Sequence, residues 1–201
     1  MPLDRRGNRP ENRRAWLVAS ILAAGAVGAV VAGVVWGTPK PVVPAMAGAG
    51  GRPAAAPPPE LGSLSPEERF ATLFDRLMRA GAEWDSATVA SLSPLAVEAY
   101  SQLDSVDADT RFHAGLIAIQ IGNFPGAHAL ADTLEARDPG HLFGPILVGA
   151  LARLEGDTAA YRQALAEFRS RAGPELARTD RPEYIEHQQL LAEVRQAAET
   201  K

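Results

Sequence analysis

The residues from Trp16 to Trp36, 21 in a row, carry no charge and one hydroxyl, Ser20. A helix of that length rises about 30 Å, the thickness of a bilayer's hydrocarbon core. Tryptophan at each end suits the two membrane interfaces. Arg5, Arg6, Arg9, Arg13 and Arg14 precede the run, whereas the next cations after it are Lys40 and Arg52. The positive-inside bias predicts a cytoplasmic basic tail at 1–15 and a transmembrane helix at 16–36. Everything after the span is expected on the far side: a single-pass protein of the inner (cytoplasmic) membrane, with its C-terminal domain periplasmic or otherwise extracytoplasmic. A cleaved signal peptide would need a shorter apolar core and a small-residue site close behind it. Ala45-Met46-Ala47 has that form, but it follows Lys40 and three prolines, so the anchor is the favoured reading.

Gly25, Ala29, Gly33 and Gly37 fall four apart, on one helical stripe. Small residues at that spacing let two membrane helices approach closely. The stripe reads either as a self-association face, giving a homodimer, or as the plain abundance of Gly and Ala here.

Residues 37–64 are rich in proline, alanine and glycine. Proline removes donors and fixes φ, glycine loosens the rest, and little apolar bulk offsets the entropy of ordering. A disordered linker is expected, followed by one folded domain at 65–201. Residues 61–201 hold 13 Lys/Arg against 21 Asp/Glu, while residues 1–60 hold 7 against 3. The acidic balance of the domain argues against a nucleic-acid partner, because phosphate recognition needs a basic face. Cysteine is absent, which excludes disulfides, thiolate zinc sites and iron–sulfur clusters.

The domain repeats itself. Gly115 and Gly149 are 34 residues apart, as are Gly122 and Gly156; Ala118 matches Ala152, and Asn123 matches Asp157. A small residue within a helix, a glycine at its end and a capping Asn or Asp next to it describe a helical hairpin. This pattern resembles the tetratricopeptide repeat, with repeats at about 108–141 and 142–174. In the first, Ala127 takes the small position of the second helix and Asp138-Pro139 closes the unit. Arg111 and Ala118 stand where the family favours large aromatics, Tyr161 replaces the second repeat's small residue, and no proline ends that repeat before Pro174.

The flanks supply caps for the array. Ser65-Pro66-Glu67-Glu68 is a capping box with proline at the first helical position. The helix it opens places Phe70, Leu73, Phe74, Leu77 and Met78 on one face. Ser93-Pro94 is expected to open the next, with Val97, Tyr100 and Leu103 inward; the two helices form an irregular first hairpin, whose spacing does not fit the 34-residue register. After Gly173-Pro174, Arg181-Pro182-Glu183 starts a C-terminal capping helix with Tyr184, His187, Leu191 and Val194 inward and Glu186 and Glu193 outward. The fold expected is all-α.

No catalytic constellation is legible. The four histidines, His113, His128, His141 and His187, include no i, i+4 pair and no HExxH, so neither a metal site nor a cofactor is expected. No nucleophile elbow or phosphate loop occurs. The tetratricopeptide resemblance implies a binding role instead. In that family the first helices line a concave groove, which here maps onto Asp109, Phe112, His113, Leu116, Ile119 and Gln120, then Phe143, Ile146, Leu147, Ala150, Arg153 and Leu154. With Arg153 as its one cation, this surface suits an apolar protein or peptide segment rather than a C-terminal carboxylate. The first hairpin either leaves that groove open or folds over it. The expected function is a membrane-tethered extracytoplasmic protein-binding or scaffold module. A self-associating structural membrane protein is the alternative. By likeness of layout, so is an accessory factor of secretion or of c-type cytochrome maturation.

Overall fold

The computed structural model describes residues 59–199. The basic tail, the apolar span with its Gly25/Ala29/Gly33/Gly37 stripe and most of the linker lie outside them. Among the described residues there are nine helices and no strand. They are α1 Pro59–Gly62, α2 Pro66–Ala82, α3 Ser86–Ser101, α4 Ala108–Gln120, α5 Phe124–Arg137, α6 Phe143–Glu155, α7 Thr158–Leu176, α8 Pro182–Glu186 and α9 Gln188–Glu199. None of these is long and apolar enough to cross a membrane.

Three antiparallel hairpins follow one another: α2–α3, α4–α5 and α6–α7. One turn geometry recurs in all three. In the second, Asn123 N–H donates to Ala118 O, six residues spanned, around Gly122 at φ 74°. In the third, Asp157 N–H donates to Ala152 O around Gly156 at φ 75°. These are Schellman closures, which need a residue in the left-handed region. The capping side chains sit as their identity dictates: Asn123 accepts from Gly126 N–H and Asp157 from Ala160 N–H.

The first hairpin makes the same turn without glycine. Asp85 N–H donates to Ala80 O, and Trp84 holds φ 58°. Asp85 then caps α3 by accepting from Thr88 N–H. Ala80, Ala118 and Ala152 are thus equivalent, as are Trp84, Gly122 and Gly156. A longer α3 and a longer connection to α4 put Gly122 38 residues after Trp84, and this hides the first hairpin from the 34-residue register. Helix α3 starts after its cap Asp85 rather than at Ser93, and Tyr100 and Leu103 pack against the core as expected. Ala96 and Ala99 are buried, and Val97 is 52% exposed rather than inward. Pro94 lies inside the helix, next to Ser93, whose hydroxyl donates to Val89 O.

Other boundaries also move. The last residues of the expected linker belong to the fold: Leu61 is fully buried, Glu60 pairs with Arg76, and Arg69 donates to the carbonyls of Leu61 and Leu64. The capping box at Ser65 and Glu68 forms as expected. Helix α7 runs through Pro174 to Leu176, because a proline there forfeits only the bond to the exposed Ser170 carbonyl, while buried Glu175 anchors the end. The capping helix breaks at His187 into α8 and α9, with Tyr184, His187, Leu191 and Val194 buried as expected.

Fully buried Phe112, Phe143, Leu147, Leu151 and Phe168 lie at the centre of the core, each contributing about 1.5–3 kcal/mol by burial. Arg111, in the position where an aromatic was expected by resemblance, is buried too. It packs by donating to the carbonyls of Val106 and Asp107.

Candidate functional site

The first helices of the hairpins, α4 and α6, do face one side together, and that side is covered. Phe112 and Phe143 stack at 4.4 Å between ring centroids. From α2, Phe74 stacks on His113 at 3.9 Å. From the C-terminal end, His187 meets Phe112 and Phe143 edge-on, and Tyr184 meets Phe143 edge-on. Phe112, Leu116, Ile119, Phe143, Ile146 and Leu147 are accordingly buried. Gln120 is half-buried and lies against Gly81 of α2 so closely that a Cβ there would meet its amide at 2.6 Å. Most of the expected groove residues are thus buried, with Phe74 of α2 and the C-terminal residues Tyr184 and His187 packed on them.

An opening remains farther along. A pocket of about 380 Å³ lies between α6, α7 and α9, walled by Ile146, Gly149, Ala150, Leu165 and Val194. Arg153, Tyr161 and Glu193 stand at its rim, with the Arg153 guanidinium 5.6 Å from the centre of the Tyr161 ring. Of the expected groove residues, Ile146, Ala150 and Arg153 line it. Glu193, expected outward, is half-buried there.

The reason for this pocket lies in the repeat. At Gly115 a Cβ would fall 2.4 Å from Leu147 Cδ2, so α6 drives a leucine into the cup that glycine leaves on α4. At Gly149 the three atoms nearest a Cβ all belong to α7, the closest being Ala164 Cβ at 3.5 Å. Helix α9, next in line, does not push a side chain into that cup. The same small residue thus lies in a filled joint in one hairpin and beside an apolar pocket in the next.

Deeper in, polar groups gather where α8 and α9 meet the array. Helix α6 has no side-chain cap of its own. Its first donors are taken from outside: Leu142 N–H donates to the Tyr184 hydroxyl at 3.0 Å and Phe143 N–H to His141 Nδ1 at 3.1 Å. The proton of His141 is therefore on Nε2, which donates to Glu183 at 3.0 Å. Burial holds the His141 imidazole below its ordinary pKa, against the opposing pull of Glu183. Tyr184 donates onward to Glu175, and burial pushes its phenol up. Arg181 lies among Asp138, Glu175 and Glu183.

Beside this network three ligand-type atoms converge: His187 Nε2 is 2.7 Å from Asp109 Oδ1, His113 Nε2 is 3.6 Å from the same oxygen, and the two imidazole nitrogens are 3.3 Å apart. Burial alone would raise the Asp109 pKa, but the His187 hydrogen bond and the neighbouring imidazoles outweigh it and hold the carboxyl below its ordinary value. Histidine-to-histidine spacing does not mark this cluster. The legible signal was Asp109-x3-His113, one turn apart on α4; His187, 74 residues later, is brought in by the fold alone. His128, by contrast, pairs with Glu155 on the surface.

No protein family, no curated protein and no solved structure matches this chain.

Proposed function

We propose that the chain is a membrane-tethered, extracytoplasmic protein-binding module of the tetratricopeptide type, whose docking point is the α6/α7/α9 socket. The carrying observation is the apolar pocket lined by Gly149, where a Cβ would meet only α7 at ordinary contact distance, whereas a Cβ on its equivalent, Gly115, would run into Leu147. A partner helix or strand would insert a leucine-sized side chain there, by the same groove docking used inside the array. Arg153 and Glu193 at the rim would select the polar flanks of that segment. The recurring turn and the hairpin order support the repeat assignment. The uncharged run at 16–36, with its upstream arginines, supports the anchor and its orientation.

Site-specific photo-crosslinking in native membranes tests the docking point. A photoreactive phenylalanine analogue at position 161 should give a discrete adduct that disappears when Gly149→Leu fills the socket. The same probe at exposed position 97 should give none. Equal adducts at both positions, or adducts indifferent to Gly149→Leu, would refute the reading. Orientation has its own test: protease added outside sealed spheroplasts should digest the domain, and full protection would put the domain in the cytoplasm.

The Gly25/Ala29/Gly33/Gly37 stripe supports a second reading, pairing of two spans. Replacing Gly25 and Gly33 with leucine should then abolish dimers in detergent, and unchanged dimers would remove it.

A further inference from the structure

We propose that Asp109, His113 and His187 form a binding site for one divalent transition-metal ion, zinc being the best fit. Two imidazole Nε2 atoms and one carboxylate oxygen lie together, with separations of 2.7, 3.3 and 3.6 Å. A point equidistant from the three, in their plane, lies about 1.9 Å from each, and zinc–nitrogen and zinc–oxygen bonds are about 2.0–2.2 Å. An ion fits by sitting just off that plane, with little movement of its ligands. Nitrogen donors in the majority exclude a preference for magnesium or calcium, which take oxygen.

The ligands are held in advance. His113 is clamped face-to-face by Phe74 at 3.9 Å. His187 is boxed edge-on by Phe112 and Phe143 at 5.8 and 5.0 Å. Rings so packed cannot turn away, which is what a preorganised ligand set requires. The site is not sealed: the side chains of Asp109 and His113 keep 25% and 16% of their exposure, against 7% for His187. Three protein ligands leave a coordination position facing that solvent side, open to water or to one donor from a partner. The ion would fasten the α8–α9 joint to α4, elements that otherwise share few contacts. Because α9 forms one wall of the socket, metal binding and socket geometry are linked through His187.

The test uses the full-length chain, free of any polyhistidine tag, in detergent and stripped with chelator. Zinc titration by calorimetry, with metal content checked after dialysis, should give one ion per chain. Cobalt should give the visible ligand-field spectrum of a nitrogen- and oxygen-ligated ion. Asp109→Asn keeps the shape and an acceptor for His187, and should weaken zinc by about tenfold or more. His113→Ala should abolish stoichiometric binding and the cobalt spectrum while retaining helical circular dichroism. His128→Ala, at the surface pair with Glu155, should bind as the parent does. The proposal is overturned if the parent binds no zinc, which would leave a purely hydrogen-bonded cluster. It is equally overturned if binding survives in Asp109→Asn and His113→Ala or is lost in His128→Ala.

Discussion

Gly115 and Gly149 occupy equivalent places in successive hairpins and end with different neighbours. Around Gly115 the fold is closed: Leu147 lies in the glycine's cup, and the face beyond is roofed by Phe74, Tyr184 and His187. Around Gly149 the packing is looser: the atoms nearest a Cβ belong to α7 at ordinary contact distance, and a pocket lies between α6, α7 and α9. A sequence signal for close helix approach thus marks where a neighbour can come near, not whether one does. What decides is the next helix in the array. Helix α6 offers Leu147; the capping unit breaks at His187, sends Tyr184 and His187 to the aromatic and polar junction, and brings only Val194 to the socket wall.

The sharpest way to break this contrast is to empty the closed joint. Leu147→Ala should destabilise the domain by about 2–5 kcal/mol, since a fully buried leucine leaves a cavity as well as lost burial. Chemical denaturation of the chain in detergent reads it; a loss below about 1 kcal/mol would mean the joint is not packed as described. Overfilling it comes next. Gly115→Ala gains helix propensity but drives a methyl into Leu147, which is buried on all sides, so a net loss of about 1–2 kcal/mol is expected.

The turns offer a smaller effect of opposite sign. Trp84 performs in the first hairpin what Gly122 and Gly156 perform in the others, at φ 58° and 64% exposed. A bulky residue in the left-handed region costs about 1–2 kcal/mol. Trp84→Gly should therefore raise stability by about 1 kcal/mol in the same denaturation experiment, and a loss of stability would show that the indole makes contacts outweighing its strain. Smallest is Gly149→Ala, with room for its methyl and a helix gain of up to about 1 kcal/mol. The melting temperature should be unchanged or slightly raised, while capture of the partner falls as the socket shrinks. A destabilisation like that of Gly115→Ala would erase the distinction between the two glycines.

Much of the architecture was legible because its signals are local. The capping box at Ser65, the left-handed glycines Gly122 and Gly156, and the capping residues Asn123 and Asp157 each act within one turn of chain, and all sit where their chemistry places them. The first hairpin was expected, but its likeness to the other two was hidden, because tryptophan stands at a position where glycine is the recognisable residue and because α3 and its connection are longer. Leu61 was lost in a proline-rich stretch whose composition outweighed one leucine that the core needs. The covering of the concave face depends on where α8 and α9 dock, and the meeting of Asp109, His113 and His187 spans 78 residues of chain. No local spacing encodes such a contact; it follows from tertiary packing.

The most direct test of the closed face and the open socket exploits the absence of cysteine. Leu116→Cys places a single thiol on the roofed face of α4, and Leu165→Cys places one on the socket wall. In the native chain a small maleimide should label Leu165→Cys promptly and Leu116→Cys only after denaturation. Equal labelling of the two in the folded protein would contradict the account.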